Sequence, residues 1–302
     1  MSVLNSRKHR LGAQDNPTVG LFVSTDAGTT WNHKGWRGYI RTFYTEAGSD
    51  GALWLACGNG VLRSTDGGNS FRITTGWQIT EVLKIKVDAL KPLVAYAATA
   101  YGVFKTENGG ETWQEHNKGF LKPFVSDIVI DKNQSTRLLA ASEDGVYLST
   151  NGGAGWRRVG IDGKGVRTIV QHPIVRGLFF AGTEDDGVFV SRDGGRSWNA
   201  TNSGLKHFTV YSIAYDRSNP EIIYVGTHGG GVYRSSDGGR SWSQKTEGLN
   251  NLVVHSLVVL PSNSSMLFAG TLNGGVFKST DGGEHWTFNS QEEAQVWGLW
   301  AR

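Results

Sequence analysis

The stretch Ser235-Ser-Asp237-Gly-Gly239-Arg-Ser-Trp242 decides the fold, because close copies of it recur along the whole chain. Successive copies lie 40 to 44 residues apart, and their third residues are Asp26, Asp66, Asn108, Asn151, Asp193, Asp237 and Asp281. A repeat of this length is typical of one four-stranded blade of a β-propeller. The spacing therefore predicts a ring of repeated sheets.

The repeated stretch, called the box below, has the composition of a capped turn. The side chain of Asp237 is expected to accept hydrogen bonds from N–H groups of its own turn, and Gly239 permits a left-handed backbone. Asn108 and Asn151 keep the acceptor oxygen without the charge. The box is therefore predicted to cap turns, with its Trp packing at the base of the blade, and not to catalyse a reaction.

Each repeat is predicted to contain four antiparallel strands, A to D, with the box between C and D. The A strands are predicted at Ile40–Glu46, Val82–Asp88, Val125–Asp131, Val166–His172, Val210–Asp216, Val254–Leu260 and Val296–Arg302. The chain begins with a B strand and ends with an A strand, so residues 296–302 are expected to join the N-terminal blade and leave no open sheet edge there. The sequence thus predicts an all-β, seven-bladed propeller, closed in this way, with residues 1–302 forming one domain.

Composition narrows the classes of partner. The formal net charge is +3 and no run of five basic residues occurs, which argues against sequence-blind nucleic-acid binding. No segment is apolar enough to span a membrane, and no membrane partner is expected. The single cysteine, Cys57, excludes an internal disulfide. Without a signal peptide the chain is expected to be cytoplasmic, or exported if such a peptide has been removed.

The Ser-x-Asp-x-Gly-x-x-Trp pattern resembles that of the Asp-box, or BNR-repeat, propellers. This superfamily includes sialidases, xyloglucan-cleaving glycosidases, sortilin-type receptors and photosystem II assembly factors. The resemblance covers essentially the whole chain, and it implies the propeller fold without choosing between an enzyme and a binding scaffold. It also implies that ligands meet the face formed by the D–A and B–C loops, opposite the boxes.

On that face, the second residue of the A strands departs from the repeat while its neighbours keep their type. The series reads Arg41, Leu83, Ser126, Arg167, Tyr211, His255 and Trp297. Such divergence indicates a role at the channel mouth, although residues that merely fill or solvate the channel would also vary. With two D–A loop residues added, the candidate binding residues are Arg37, Tyr39, Arg41, Arg167, Tyr211, His255 and Trp297.

Two functions fit this inventory. The first is a binding or assembly scaffold whose arginines and aromatic walls recognise an anionic or carbohydrate group on a small ligand or a protein partner. The second is a glycoside hydrolase, which needs two carboxyl groups about 5–10 Å apart. Its candidate catalytic residues are Glu143, Glu184 and Asp185, on the B–C loops of adjacent blades. The sequence does not decide whether the protein is an enzyme.

Other polar and aromatic residues on this face have weaker claims. No cofactor or metal motif is present, so neither is expected, but His207, His228 and His255 would lie on one face of neighbouring blades and leave a cation site as an alternative. Trp77 follows a glycine in a D–A loop, where other repeats hold Phe120 or Leu205. An apolar plug is therefore expected for Trp77, with a sugar-stacking platform as the alternative.

Overall fold

The apolar, alternating A strands form in the structure close to their predicted places. The computed structural model describes residues 2–6, 20–34 and 42–301, with residues 2–6 described by their backbone pairing alone. The A strands are β4 (Thr42–Ala47), β8 (Val82–Asp88), β12 (Val125–Ile130), β16 (Val166–Gln171), β20 (Val210–Tyr215), β24 (Val254–Leu260) and β28 (Ala294–Leu299).

The B strands pair with the A strands, and the B-strand side chains that the structure describes are mostly buried, because a neighbouring sheet covers each face. The B strands are β1 (Ser2–Ser6), β5 (Leu53–Cys57), β9 (Lys91–Thr99), β13 (Leu138–Ser142), β17 (Phe179–Thr183), β21 (Ile223–Thr227) and β25 (Asn263–Thr271).

The C and D strands flank each box. The C strands are β2 (Gly20–Val23), β6 (Gly60–Ser64), β10 (Gly102–Thr106), β14 (Gly145–Ser149), β18 (Val188–Ser191), β22 (Gly231–Ser235) and β26 (Gly275–Ser279). The short, more exposed D strands are β3 (Asn32–Lys34), β7 (Arg72–Ile73), β11 (Gln114–Glu115), β15 (Arg157–Gly160), β19 (Asn199–Ala200), β23 (Ser243–Lys245) and β27 (Thr287–Ser290).

These strands pair as four-stranded antiparallel sheets in A-B-C-D order, such as β12-β13-β14-β15 and β20-β21-β22-β23. The fold is an all-β propeller, and the residues that the structure describes include no helix. It follows that no helix in this part of the chain could cross a membrane. β28 pairs antiparallel with β1, from Ser2 opposite Leu299 to Ser6 opposite Ala294. The last A strand therefore begins two residues before its predicted start at Val296.

The hydrophobic core lies between neighbouring sheets. One cluster joins Tyr96 and Val103 of one sheet to Val125, Ile128 and Leu138 of the next, and all five side chains are buried. Burying a large apolar side chain contributes about 1.5–3 kcal/mol, so these contacts between sheets are the main cohesive force. Because neighbouring sheets pack face to face, successive A strands lie side by side around a common axis.

The box forms the capped turn that the sequence predicts. Asp237 accepts hydrogen bonds from the N–H groups of Arg240 and Ser241, both at 2.9 Å, while the Gly239 N–H donates to Ser235 Oγ at 2.8 Å. Gly239 has a φ of +81°. In the uncharged copies Asn108 and Asn151 accept in the same way, from Thr112 at 2.9 Å and Gly155 at 3.0 Å. The turn-capping prediction is therefore confirmed.

The box tryptophans also connect neighbouring sheets. Trp242 Nε1 donates to the carbonyl of Thr201, and Trp286 Nε1 donates to that of Lys245, at 2.7 and 3.1 Å. Both acceptors lie at the D strand of the preceding sheet. Trp242 and Trp286 are both buried, and each satisfies its indole N–H while packing against the adjacent sheet. The boxes thus stabilise one face of the propeller, away from the predicted ligand face.

Candidate functional site

A β-bulge interrupts each A strand, immediately after the first residue in all of them except β28, where it lies at Trp297. In β16, Val166 lies opposite Thr183 and Thr168 lies opposite Gly182, so Arg167 has no partner across the ladder. A bulge leaves one residue unpaired and redirects its side chain. The unpaired residues, called the bulge series below, are Phe43, Leu83, Ser126, Arg167, Tyr211, His255 and Trp297.

The bulge series corrects one member of the variable series predicted from the sequence. In β4, Thr42 lies opposite Cys57 and Tyr44 opposite Ala56, so Phe43 is the bulged residue. The prediction placed Arg41 there because Ile40 and Thr42 both begin an alternating apolar pattern, and the choice of Ile40 displaced the register by two residues. Arg41 itself lies outside the described residues, as do Arg37 and Tyr39.

The bulged side chains line a cavity of about 380 Å³ on the propeller axis. This axial cavity is bounded by residues from all of the A strands. Its charged lining residues are Lys84, Lys86 and Arg167 against a single carboxylate, Asp127. A larger groove of about 580 Å³ along β15, beside Trp156, contains none of the bulge series. The axial cavity therefore combines a cationic lining with the residues that vary most between repeats.

One wall of the axial cavity is aromatic. The ring centroid of His255 lies 4.4 Å from that of Tyr211 and 4.8 Å from that of Trp297, and Phe43 meets Trp297 edge-on at 5.6 Å. Burial lowers the pKa of His255 to about 4, and the positive charges of His228 and Arg167 add to the effect. His255 is therefore neutral at pH 7 and acts as part of an apolar wall.

Around the axial cavity, three polar atoms are buried without a hydrogen-bond partner among the described residues: Arg167 Nε, Ser212 Oγ and Trp297 Nε1. Each can donate a hydrogen bond. A buried donor without an acceptor costs about 1–3 kcal/mol, so several at one place need a physical reason. The far end of the Arg167 guanidinium is paired with the carboxylate of Glu184 on the neighbouring B–C loop.

Apart from Arg167, the charged side chains at the axial cavity lie on β4, β8 and β12 and form ion pairs with one another. Lys86 Nζ lies 2.8 Å from a carboxylate oxygen of Glu46 and donates to the Tyr44 hydroxyl at 2.7 Å. Lys84 Nζ lies 3.3 Å from Asp127 Oδ2. The sequence analysis missed this group. Its signal was the charge at the third or fifth position of A strands that are otherwise apolar.

The candidate catalytic carboxylates lie outside the axial cavity. Glu184 is held by Arg167, and Glu143 is 3.9 Å from the Lys122 ammonium. Asp185 is within 3.4 Å of the Thr209 hydroxyl. None of these three carboxylates is among the residues that line the cavity. The geometry thus brings together Arg167, Tyr211, His255 and Trp297 from the predicted binding set, but not a carboxylate pair.

The three histidines proposed for a cation have other contacts. His207 Nδ1 lies 2.8 Å from the Tyr233 hydroxyl, whereas His228 and His255 both face the ring of Tyr211. Within residues 20–34 and 42–301, no three histidine, cysteine or carboxylate side chains are grouped closely enough to hold a metal ion.

Trp77 contradicts its predicted role as a plug. The side chain is 86% exposed. The residues in the same slot of other repeats do pack inward: Leu205 is buried, and Phe120 packs on Tyr147 and Trp156. The plug prediction is therefore wrong for Trp77, whose indole does not pack inward as these residues do.

Comparison with known proteins places the fold. No family model and no curated protein sequence matches the chain. Among solved structures, the GH74 xyloglucanase from Xanthomonas campestris is 16% identical, with a TM-score of 0.69, over 88% of this chain and 46% of that one. YCF48 from Cyanidioschyzon merolae is 18% identical, with a TM-score of 0.61, over 92% and 95%. A YCF48 bound to a D1 peptide is 14% identical, with a TM-score of 0.62, over 82% and 81%.

These likenesses confirm the propeller fold that the resemblance implied. The chain spans 31–47% of the length of the GH74 enzymes that it matches first, but most of the length of the two YCF48 structures. At such low identity the comparisons define the fold class, and the function has to be argued from the site.

Proposed function

We propose that the sheets form a single seven-bladed domain, closed where β28 joins β1. Each A strand packs against the next, from β4 to β8 and onward to β28, and β28 in turn packs against β4. The antiparallel pairing of β28 with β1 supplies the A strand of the N-terminal blade. Closure of this kind removes an exposed sheet edge. It also gives the axial cavity a complete wall.

We propose that the protein is a binding or assembly scaffold that recognises an anionic or carbohydrate group in the axial cavity. The observation that carries this proposal is the arrangement of Arg167 beside the aromatic wall of Tyr211, His255 and Trp297. A guanidinium binds carboxylate or phosphate oxygens in a fixed geometry, and aromatic faces pack against sugar or side-chain carbons. The excess of cationic lining residues favours an acidic ligand.

The unpartnered donors support the same proposal. Arg167 Nε, Ser212 Oγ and Trp297 Nε1 lack acceptors around one cavity. A ligand with several oxygen atoms can accept hydrogen bonds from these three donors after small side-chain rotations. These bonds offset the free-energy cost of burying the donors unpaired. The ion pair between Arg167 and Glu184 keeps the guanidinium oriented before the ligand arrives. We infer that the ligand's acid group approaches Arg167 from the loop face.

The kind of ligand is narrowed by the comparisons. One solved YCF48 holds a D1 peptide, and that protein matches over most of its length. We infer that this chain takes an acidic peptide terminus, or an acidic sugar, as the group that enters the cavity, because the cavity lining is cationic. The partner is then either a protein or a small anionic or glycan ligand.

A glycoside hydrolase is the second candidate, and its support is the likeness to a xyloglucanase together with the exposed Trp77, a ready platform for a sugar ring. Glu143, Glu184 and Asp185 are the carboxylates that would carry the reaction. The pairing of Glu184 with Arg167 counts against it, because the ion pair already engages a carboxylate that the reaction would need. A screen of β-glucan and xyloglucan oligosaccharides tests this candidate. Hydrolysis abolished by Glu184→Gln would establish it.

The scaffold proposal is tested by binding measurements on Arg167→Gln with Arg234→Gln as the matched control. Arg234 is also paired with a glutamate, at 3.3 Å, and also has a buried, unpartnered Nε, but it does not line the cavity. Probes are an array of neutral and uronic-acid oligosaccharides, and peptides with free or amidated C-termini. Arg167→Gln is expected to weaken acidic-probe binding about tenfold or more, with Arg234→Gln unchanged. Equal binding by the two variants would overturn the proposal.

A further inference from the structure

Two lysines on one strand line the axial cavity but have different surroundings. Lys86 is held by an ion pair with Glu46 at 2.8 Å and by the Tyr44 hydroxyl. Lys84 lies 3.3 Å from Asp127, and its Nζ is 3.9 Å from the centroid of the Tyr44 ring. The Lys84 side chain is 20% exposed, so it is shielded from bulk water while it faces the cavity.

The Asp127 carboxylate is largely satisfied without Lys84. It accepts hydrogen bonds from the N–H of Ile128 at 2.8 Å, the hydroxyl of Thr168 at 3.0 Å and the N–H of Ile169 at 3.2 Å. These donors share its negative charge, which leaves less to stabilise an ammonium group. Lys84 therefore depends on a carboxylate that has three other donors, whereas Lys86 shares the Glu46 carboxylate with the Tyr44 hydroxyl.

The electrostatic surroundings separate the two amines further. Burial lowers the pKa of Lys84, Asp127 opposes that shift, and the positive charge of Lys86 adds to it. For Lys86, burial is outweighed by Glu46 and Tyr44, which raise its pKa above the ordinary value. A buried lysine beside a second cation is the usual setting of an amine nucleophile.

We propose that Lys84 is a nucleophilic amine that condenses with a small carbonyl compound bearing a carboxylate, such as a 2-oxo acid. Lys84 and Arg167 line the same cavity, so the proposal assigns the ligand's carboxylate to the guanidinium and its carbonyl carbon to Nζ. The inference rests on the proposed function for the position of the carboxylate. The reactivity of the amine rests on the surroundings of Lys84 alone.

The reaction balances without any further reactant. The lone pair of the neutral amine forms a C–N bond to the carbonyl carbon, while the C=O electron pair takes up a proton to give a hydroxyl group. Loss of that hydroxyl as water, with one proton, leaves a C=N bond. The net change is amine plus carbonyl to imine plus water, with no oxidation. Protonation of the imine nitrogen restores a cation beside Asp127.

The test is reductive trapping on the full chain at about pH 7. The protein is incubated with glyoxylate and cyanoborohydride, which reduces an imine to a stable secondary amine, and modified lysines are located by peptide mass spectrometry. Lys84 is expected to be modified first, ahead of Lys86 and the exposed lysines, because a lowered pKa raises the neutral, reactive fraction of the amine. Modification spread evenly over the exposed lysines would overturn the proposal.

Variants and a second probe separate this inference from the proposed function. Lys84→Arg is expected to abolish the fast modification, whereas Lys105→Arg, at a lysine that is paired with Glu107 and does not line the cavity, is expected to preserve it. The site map of the unaltered protein decides the matter if either variant misfolds. Acetaldehyde serves as the probe without a carboxylate. Fast modification of Lys84 by both aldehydes at equal rates supports the amine and contradicts the anion site on Arg167. Slow modification by both refutes the amine, whatever Arg167 binds.

Discussion

The box turns and the bulge series are two repeated features near opposite ends of the strands. They differ in whether the side chains recur from one repeat to the next. In the box, the acceptor, the glycine and the closing aromatic recur, and the hydrogen bonds recur with them. In the bulge series the backbone irregularity recurs, but the side chains range from Leu83 to Arg167. A repeated backbone with repeated side chains builds the fold. A repeated backbone with different side chains builds one asymmetric cavity.

The comparison is tested most strongly by adding a methyl group at a box glycine. A Cβ on Gly239 would lie 2.5 Å from Cε1 of Phe180, at a φ of +81°. Gly239→Ala is therefore expected to lower the free energy of unfolding by about 3 kcal/mol, from backbone strain and overpacking together. Denaturant unfolding measures this loss. The control is Gly58→Ala, where nothing lies within 4 Å and the φ is not left-handed, so a loss as large at Gly58 would refute the explanation.

The bulge series responds to pH through His255. Its folded pKa of about 4 lies below the ordinary value of 6.5, so the folded state binds fewer protons than the unfolded state between these pH values. The contribution of His255 to the free energy of unfolding is expected to be constant above about pH 6.5. It falls by up to about 3 kcal/mol as the pH drops toward 4. His255→Phe keeps the aromatic wall and should remove this part of the pH dependence, as measured by denaturant unfolding between pH 4 and 7.

His285 provides the opposite control. It lies on the surface in a box, where hydrogen bonding to Asp281 at 2.6 Å raises its pKa. A histidine with a raised pKa stabilises the folded state on the acidic side, so His285→Gln should not flatten the loss that His255 causes. A pH profile that changes with His285→Gln and not with His255→Phe would contradict the assignment.

At the box, the charge should matter less than the acceptor oxygen. Asp237→Ala removes acceptors for Arg240 and Ser241 and is expected to cost about 2 kcal/mol, whereas Asp237→Asn should cost less than about 1 kcal/mol. The natural copies with Asn108 and Asn151 keep the bond that corresponds to the one from Ser241. Thermal and denaturant unfolding of the two variants check the order. Equal losses would mean that the charge, not the acceptor, stabilises the turn.

The carboxylate of a box aspartate should also make the stability of the protein depend on pH under acidic conditions. Hydrogen bonds from the Thr30 hydroxyl and N–H, with that of Ser24, lower the pKa of Asp26 to about 2. The stability due to this carboxylate is present above its ordinary pKa near 4 and is lost as the pH falls through about 2. Between pH 4 and pH 2, the free energy of unfolding should fall less in Asp26→Asn than in the unaltered protein, as measured by denaturant unfolding.

The smallest expected effect on stability separates function from folding at Trp297. Its indole N–H is buried without an acceptor. Trp297→Phe removes that N–H and keeps an aromatic ring against His255, so stability should change by less than about 1 kcal/mol in either direction. Affinity for acidic probes should still fall. A variant that loses stability and keeps its affinity would place Trp297 with the fold.

Much of the fold could be predicted from the sequence because periodicity reports on local geometry. The structure gives β8 and β24 the bounds that the sequence predicts, Val82–Asp88 and Val254–Leu260. At β4 the prediction failed because the two candidate first residues, Ile40 and Thr42, both fit an alternating strand. Only pairing with Cys57, on another strand, distinguishes them.

The candidate site was predicted in part for the same reason. Divergence at one repeat position identified Arg167, Tyr211, His255 and Trp297, which the structure brings to one cavity. Lys84 was missed because its surroundings depend on depth in the channel and on the next sheet, which no local pattern reports. Trp77 was assigned wrongly because its burial depends on what covers it, and the sequence spacing is the same for covered and uncovered positions.

The central claim is that the bulge series, and not the box face, binds the ligand. A crystal structure of the protein with the tightest acidic probe from the array tests it most directly. The account predicts the acid group of that probe against Arg167, with its carbon skeleton on the ring of Trp297. The same probe bound among the box turns, with the axial cavity left to water, would contradict the account.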